Sequence, residues 1–170
     1  MNPYTYQLYT SATQLPEQWN RLAVDTVFLS GAYLEVLEKS APTNMTCHFI
    51  GLFDGETLIG IALSQFLDLN QLESFGERDQ CVKTYIRNFM FRNFASHVLF
   101  VGNNMLTGQN AFIFDVNIKE SKAIKTLHKA INQLKKDLKE SGKKVHITSI
   151  KDFTAKEIEP LQAEFKNNYT

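Results

Sequence analysis

The chain lacks net charge: 18 lysines and arginines balance 18 aspartates and glutamates. That balance removes the broad positive field of a dedicated nucleic-acid binder and leaves only local patches to argue from. Two cysteines, Cys47 and Cys81, supply neither a disulfide framework nor a zinc knuckle, so a reducing compartment fits best. No stretch reaches the roughly 18 apolar residues a membrane span needs, and the polar, tyrosine-rich residues 1–10 lack a basic start followed by an apolar run. A cytoplasmic location without a membrane partner is the expectation. The chain also has no glycine from Val116 to Ser121, where its longest helical pattern begins, so a glycine-rich phosphate loop is missing there.

What is present reads as one ordinary domain. A length of 170 residues with 44% hydrophobic and 21% charged residues supports a single packed core and excludes disordered and fibrous classes. Residues 4–9 alternate aromatic with polar side chains, as in a half-buried strand. A short helix is predicted over 16–23, burying Leu15, Trp19, Leu22 and Ala23, and a second, capped by Ser30, runs through Lys39 until Pro42 forbids continuation. Residues 46–53 are apolar on both alternating faces, with Cys47, Phe49 and Phe53 on one and Ile50 and Leu52 beside His48 on the other, which marks a central strand. Asp54-Gly55 is a two-residue hairpin signal, and its partner at 56–69 is long enough to predict a bulge or bend near Gly60.

After a polar loop at 71–79, residues 81–94 read as a helix with Val82, Tyr85, Ile86, Phe89, Met90 and Phe94 on one stripe. A strand at 97–102, a loop at 103–109 and a strand at 111–116 follow. The next helix, 117–141, is the strongest pattern, with Ile124, Leu127, Ile131, Leu134 and Leu138 at spacings of three and four. Asn117 and Glu120 suggest a capping box, and Gly142 suits the position past the helix end. A strand at 145–150 and a helix at 154–165 complete the chain. The helix between the strands at 111–116 and 145–150 makes a βαβ crossover, so those two are expected to be parallel and the connection right-handed. The fold class is α/β of the α+β kind: a mixed, mostly antiparallel central sheet flanked by helices, with one parallel crossover.

This order, with the hairpin FIGLFDGETLIGIALSQ at its centre, resembles the GNAT acyltransferase superfamily. The stretches LESFGERD, HVLFVGNNMLTGQNAFIFD and VHITSIKDF look most like the N-terminal half of bacterial Fem-type proteins, the peptidoglycan aminoacyl transferases. The resemblance covers residues 4–165 and implies a single GNAT-like domain from a longer tandem architecture. It also implies acyl or aminoacyl transfer to an amine acceptor that is a small molecule or a peptide, in a cell-wall context, with a second GNAT-like domain or a second copy covering an open sheet edge. Acetyl-CoA or another acyl-CoA is the donor the resemblance brings to mind, and charged tRNA the donor used by Fem-type proteins. This chain departs from the pattern at 116–121, where the family's glycine-containing loop would cradle the coenzyme pyrophosphate. The alternative reading is a non-catalytic binding or assembly domain on the same scaffold.

No catalytic residue stands out. Asn103, Asn104, Thr107, Gly108 and Gln109 form the preferred substrate-binding loop, because amides, a hydroxyl and a flexible glycine after a strand suit an extended, amide-rich ligand; the competing reading is a polar surface turn. Glu73, Glu77, Arg78 and Asp79 offer a carboxylate base or a solvated charge cluster. His48, His97, His128 and His146 have no metal-ligand spacing, with His128 on a helix surface and the other three as satisfied structural residues. Lys83, Arg87 and Arg92 with Phe89, Phe91 and Phe94 make either an RNA-facing surface or, for the aromatics, core packing.

Overall fold

The hairpin at Asp54-Gly55 is the frame on which the remaining elements are hung. The computed structural model describes residues 3–71, 93–106, 111–150 and 155–165. Strand β1 (Thr5–Tyr9) is followed by helices α1 (Trp19–Leu22) and α2 (Gly31–Lys39), then by strands β2 (Met45–Asp54) and β3 (Thr57–Asp68). Strands β4 (His97–Val101) and β5 (Phe112–Phe114), helix α3 (Glu120–Glu140), strand β6 (Ile147–Ile150) and helix α4 (Ala155–Phe165) complete the order. Gly55 turns the hairpin with φ of 59°, a conformation that favours glycine. The expected irregularity is there too: the register slips between Leu52↔Gly60 and Phe53↔Leu58, leaving Ile59 as the extra residue of a bulge.

The sheet order is β1-β2-β3-β4-β6, with β5 also on β3. Every pairing is antiparallel except β4 with β6. The two strands joined by the crossover run in the same sense, as expected, but they do not pair with each other. Helix α3 does lead from β5 to β6, but β6 pairs with β4, from Val98↔Ile147 to Val101↔Ile150, and not with β5. The cause is that β4 and β5 lie end to end along one edge of β3, β4 opposite Ser64 to Asp68 and β5 opposite Gly60 to Ala62. Both oppose β3, so β5 and β6 run in the same sense without being neighbours.

Helices cover both faces, which explains why β2 is apolar on both. Ile50, Leu52, Ala62, Phe66, Leu99 and Val101 meet Ile124, Leu127, Ile131, Leu134 and Leu138 of α3 on one side. Cys47, Phe49, Ile61 and Leu63 meet Trp19, Leu29, Leu34 and Leu37 on the other. Each fully buried Leu or Ile contributes roughly 1.5–3 kcal/mol, so the two layers together hold the sheet between them.

Three helix ends differ from expectation. Helix α1 is confined to Trp19–Leu22, Pro16 serving only to accept the Trp19 N–H at 2.9 Å in the turn before it. Helix α3 starts at Glu120, behind an N-cap at Lys119 that makes no side-chain capping bond. The Asn117 capping box does not form because Asp115 Oδ1 takes both the backbone N–H and the side-chain amide of Asn117, at 3.0 and 3.2 Å; an Asx-type contact two residues back occupies the N–H that Glu120 would have accepted. Gly142, with φ of 84°, follows the end of α3 as predicted, and Lys143 N–H returns to Leu138 O at 2.8 Å. Among the described residues no helix is long and apolar enough to cross a membrane.

Candidate functional site: an interrupted strand and its buried amides

The edge of β3 that carries β4 and β5 is broken at one point, opposite Leu63. Gly102 N–H donates to Leu63 O at 2.8 Å, and Leu63 N–H donates to Ala111 O at 2.9 Å. One residue of β3 thus receives the last residue before the loop and the first after it. The loop leaves and re-enters the ladder at a single position. Gly102 departs at φ of +116°, and a Cβ on it would lie 3.3 Å from the Ala111 Cβ. A side chain there would meet both backbone strain and crowding.

Inside this break sits a short polar relay. Asn103 is buried, its Nδ2 donating to Tyr33 Oη at 3.0 Å and its Oδ1 accepting from Met105 N–H at 3.0 Å. Asn104 N–H donates to Gln65 Oε1 at 2.8 Å, and Gln65 Nε2 in turn reaches Cys47 Sγ at 3.8 Å. Gln65 is wholly enclosed, so these bonds offset the desolvation of its amide. The side-chain oxygen of Asn104 is different: it is buried and has no hydrogen-bond partner. Burial pushes the Cys47 thiol above its ordinary value, which leaves it protonated at neutral pH and unsuited to nucleophilic work.

Of the five residues predicted for this loop, the structure brings Asn103 and Asn104 together and gives them different roles. Asn103 spends both ends of its amide inside the protein and acts as a brace. Asn104 is braced through its backbone and leaves a side-chain acceptor unused. Thr107, Gly108 and Gln109 lie outside the described residues, as do Cys81, Glu73, Glu77, Arg78, Asp79, Lys83, Arg87, Phe89, Phe91 and Arg92. Tyr33, Gln65 and Cys47 were not anticipated as a relay. The signal for Gln65 was available, since an amide in the apolar run of β3 must find buried partners.

Two histidines depart from expectation, His128 in being buried and His48 in lacking a partner at Nε2, while His97 and His146 have the structural partners expected of them. His128, expected at a helix surface, is buried beneath α4, 3.1 Å from Glu164 Oε1 and with its ring 4.6 Å from that of Phe165. His97 and His146 engage each other: the rings stack at 5.0 Å, and the His97 backbone N–H donates to His146 Nδ1 at 3.3 Å. His97 Nδ1 contacts Lys144 O at 2.8 Å, and its Nε2 lies 3.5 Å from Asp68 Oδ1. His48 is buried, and its Nε2 has no partner. Burial, reinforced by the charge of Lys143 and opposed by that of Asp137, brings its pKa down to about 4, so the ring is neutral at pH 7. Phe94, placed by the sequence on the buried stripe of its helix, is 62% exposed. Its partners on that stripe fall outside the described residues.

Among the described residues no group of three or more His, Cys, Asp or Glu side chains is disposed to hold a metal ion. The first turn of α3 carries one acid, Glu120, which opposes an anion at the positive end of the helix. Comparison of the chain with protein-family models, with curated proteins and with solved structures yields no match in any of the three.

Proposed function

We propose that this chain is a GNAT-like domain that takes part in acyl or aminoacyl transfer to an amine, holding the acceptor and relying on a second domain or second copy for the activated donor. The observation that carries this reading is the unpartnered, buried side-chain oxygen of Asn104 at the break between β4 and β5. A buried acceptor left open costs roughly 1–3 kcal/mol, and an N–H from an acceptor amine or amide relieves that cost. In the reaction, a bond forms between the amine nitrogen and the acyl carbon, the ester or thioester bond breaks, and the amine loses a proton. The chain contributes by positioning the nitrogen, a source of rate that needs no ionisable side chain.

The donor is assigned elsewhere because residues 116–121 contain no glycine and Glu120 occupies the first turn of α3, both unfavourable to a coenzyme pyrophosphate. Strand β6 ends the sheet among the described residues, so its outer backbone groups suit a covering domain. Calorimetric titrations with acetyl-CoA, with an aminoacyl-tRNA and with a short amine-bearing peptide test the reading. The expected result is binding of the peptide, weakened in Asn104→Leu, and none of acetyl-CoA alone. Micromolar binding of acetyl-CoA overturns the assignment of the donor. The bracing role of Asn103, whose amide is used internally at both ends, favours the second reading, a non-catalytic assembly domain; silence toward all three ligands supports it.

A further inference from the structure

Strand β1 stops at Tyr9, opposite Phe49 of β2, so no β1 residue stands beside His48. The last turns of α3 pass over this place without filling it. A cavity of about 210 Å³ results, with Leu8, Leu134 and Leu138 as apolar wall and Thr10, His48, Asp137 and Ser141 as its polar side chains, Tyr9 also lining it while its ring packs in the opposite core. It lies on the α3 side of β2, across the strand from Cys47 and from the Asn103 relay. His48 is 8% exposed, and an imidazole there, in place of a leucine, has no packing rationale.

The polar members share a bias. Thr10 Oγ1 donates its proton to Gln14 Oε1 at 3.3 Å, and Ser141 Oγ donates its proton to Leu138 O at 2.8 Å. Both hydroxyl oxygens therefore have only lone pairs to offer. Asp137 accepts from Gln133 Nε2 at 2.7 Å through Oδ1, which leaves Oδ2. The imidazole of His48 is neutral and unpartnered at Nε2, and a neutral imidazole carries one N–H donor and one acceptor nitrogen. Apart from that single imidazole N–H, these side chains offer lone pairs and the negative charge of Asp137, while the wall is hydrocarbon. Lys143, whose charge is felt at His48, holds its ammonium 5.8 Å from the Phe66 ring and is not part of the wall.

We infer that the cavity between the end of β1 and the last turns of α3 binds a small primary amine with a hydrocarbon body, its ammonium group on Asp137 and the Ser141 and Thr10 oxygens, its carbon chain against Leu8, Leu134 and Leu138. A cavity of about 150 Å³ holds benzene, so the available space suits an alkylamine or arylalkylamine of roughly six to nine non-hydrogen atoms. The site stands on this geometry alone and is independent of the transfer reading.

The test is an NMR titration of the full chain at pH 7.5 with n-hexylamine, n-hexanol and hexanoate, followed at the methyl groups of Leu8, Leu134 and Leu138 and at the His48 ring. Hexylamine is expected to give saturable shifts at these groups, with affinity at least tenfold above that of hexanol and with no saturation by hexanoate. Asp137 is exposed, so Asp137→Asn retains the fold; it is expected to lower hexylamine affinity about tenfold, the order of one lost charge-assisted contact, and to leave hexanol unaffected. Absence of saturable shifts with hexylamine overturns the site. Equal affinity for the three probes, or an Asp137→Asn variant that binds hexylamine as wild type does, overturns the amine.

Discussion

Gly102 and Ala111 share the backbone of one residue, Leu63, whose carbonyl accepts from the first at 2.8 Å and whose N–H donates to the second at 2.9 Å. The excursion between them is therefore anchored at a single rung of the sheet. Gly102 alone satisfies that anchor, because its φ of +116° excludes ordinary side chains and its Cβ position is crowded by Ala111. Gly102→Ala is expected to lower stability by roughly 1–3 kcal/mol, read as a drop in the urea midpoint with an unchanged slope. A midpoint equal to that of the wild type removes the strain argument.

Gly60 makes a different demand on the same edge of β3. A Cβ there would stand 2.8 Å from Phe114 Cδ1 and 3.2 Å from Leu52 Cδ1, in backbone of ordinary φ. The penalty in Gly60→Ala is overpacking, expected at about 1–3 kcal/mol. Because Phe114 stacks on Phe112 at 4.7 Å between ring centroids, the ring cannot give way without disturbing β5. Trimming the obstacle checks this: Phe114→Leu in the Gly60→Ala background should recover part of the lost stability, and additivity of the two losses would count against it.

The contrast between these glycines shows what the sequence could and could not disclose. The hairpin at Asp54-Gly55, the two-faced burial of β2 and the spacing of Ile124, Leu127, Ile131, Leu134 and Leu138 are local patterns, and local patterns are legible. The neighbour of β6 was not, because β4 and β5 each look like a whole strand while occupying successive parts of one edge. The cap of α3 was missed because Asp115 competes for Asn117, an effect two residues long that the capping pattern ignores. At the candidate site, Asn103 and Asn104 were visible as loop amides. Their division into brace and open acceptor depends on Tyr33 and Gln65, which only the folded chain brings near.

Gln65 is the strut of that arrangement. Replacing it with leucine keeps most of the volume but orphans the Asn104 N–H, at an expected cost of about 1–3 kcal/mol. The loss should be local as well as global: amide hydrogen exchange at Asn104 is expected to quicken more than at Leu99, in the centre of β4. Equal acceleration at the two sites would mean that Gln65 supports the core and not the loop.

The His97–His146 pair makes the start of β6 sensitive to acid. His146 Nδ1 must keep its lone pair to accept from His97 N–H at 3.3 Å. Burial, and then the charges of His97 and Lys144, hold its pKa below the ordinary imidazole value of 6.5. The bond is thus intact at neutral pH and is lost as pH falls through that depressed value, when protonation takes the lone pair. The His97 amide resonance should titrate below pH 6.5 in the wild type and cease to do so in His146→Leu. An inflection at or above 6.5 would contradict the bond.

His48 sets the larger pH effect, and its sign is fixed by burial. In the unfolded chain the ring takes a proton at about its ordinary 6.5, whereas in the fold it does so only at about 4. Between those values the unfolded state binds more protons, so stability falls as pH drops from about 6.5 to about 4 and this contribution levels off below. At about 1.4 kcal/mol per tenfold in proton affinity, the full loss is about 3 kcal/mol. His48→Leu removes the titrating group and places hydrocarbon against Leu134 and Leu138, so it should be at least as stable as wild type at pH 7. The gap between the variants should then widen by most of that amount by pH 4, measured as the difference in urea midpoints. Parallel stability curves for the two proteins across this range would show that the ring is not held neutral by the fold.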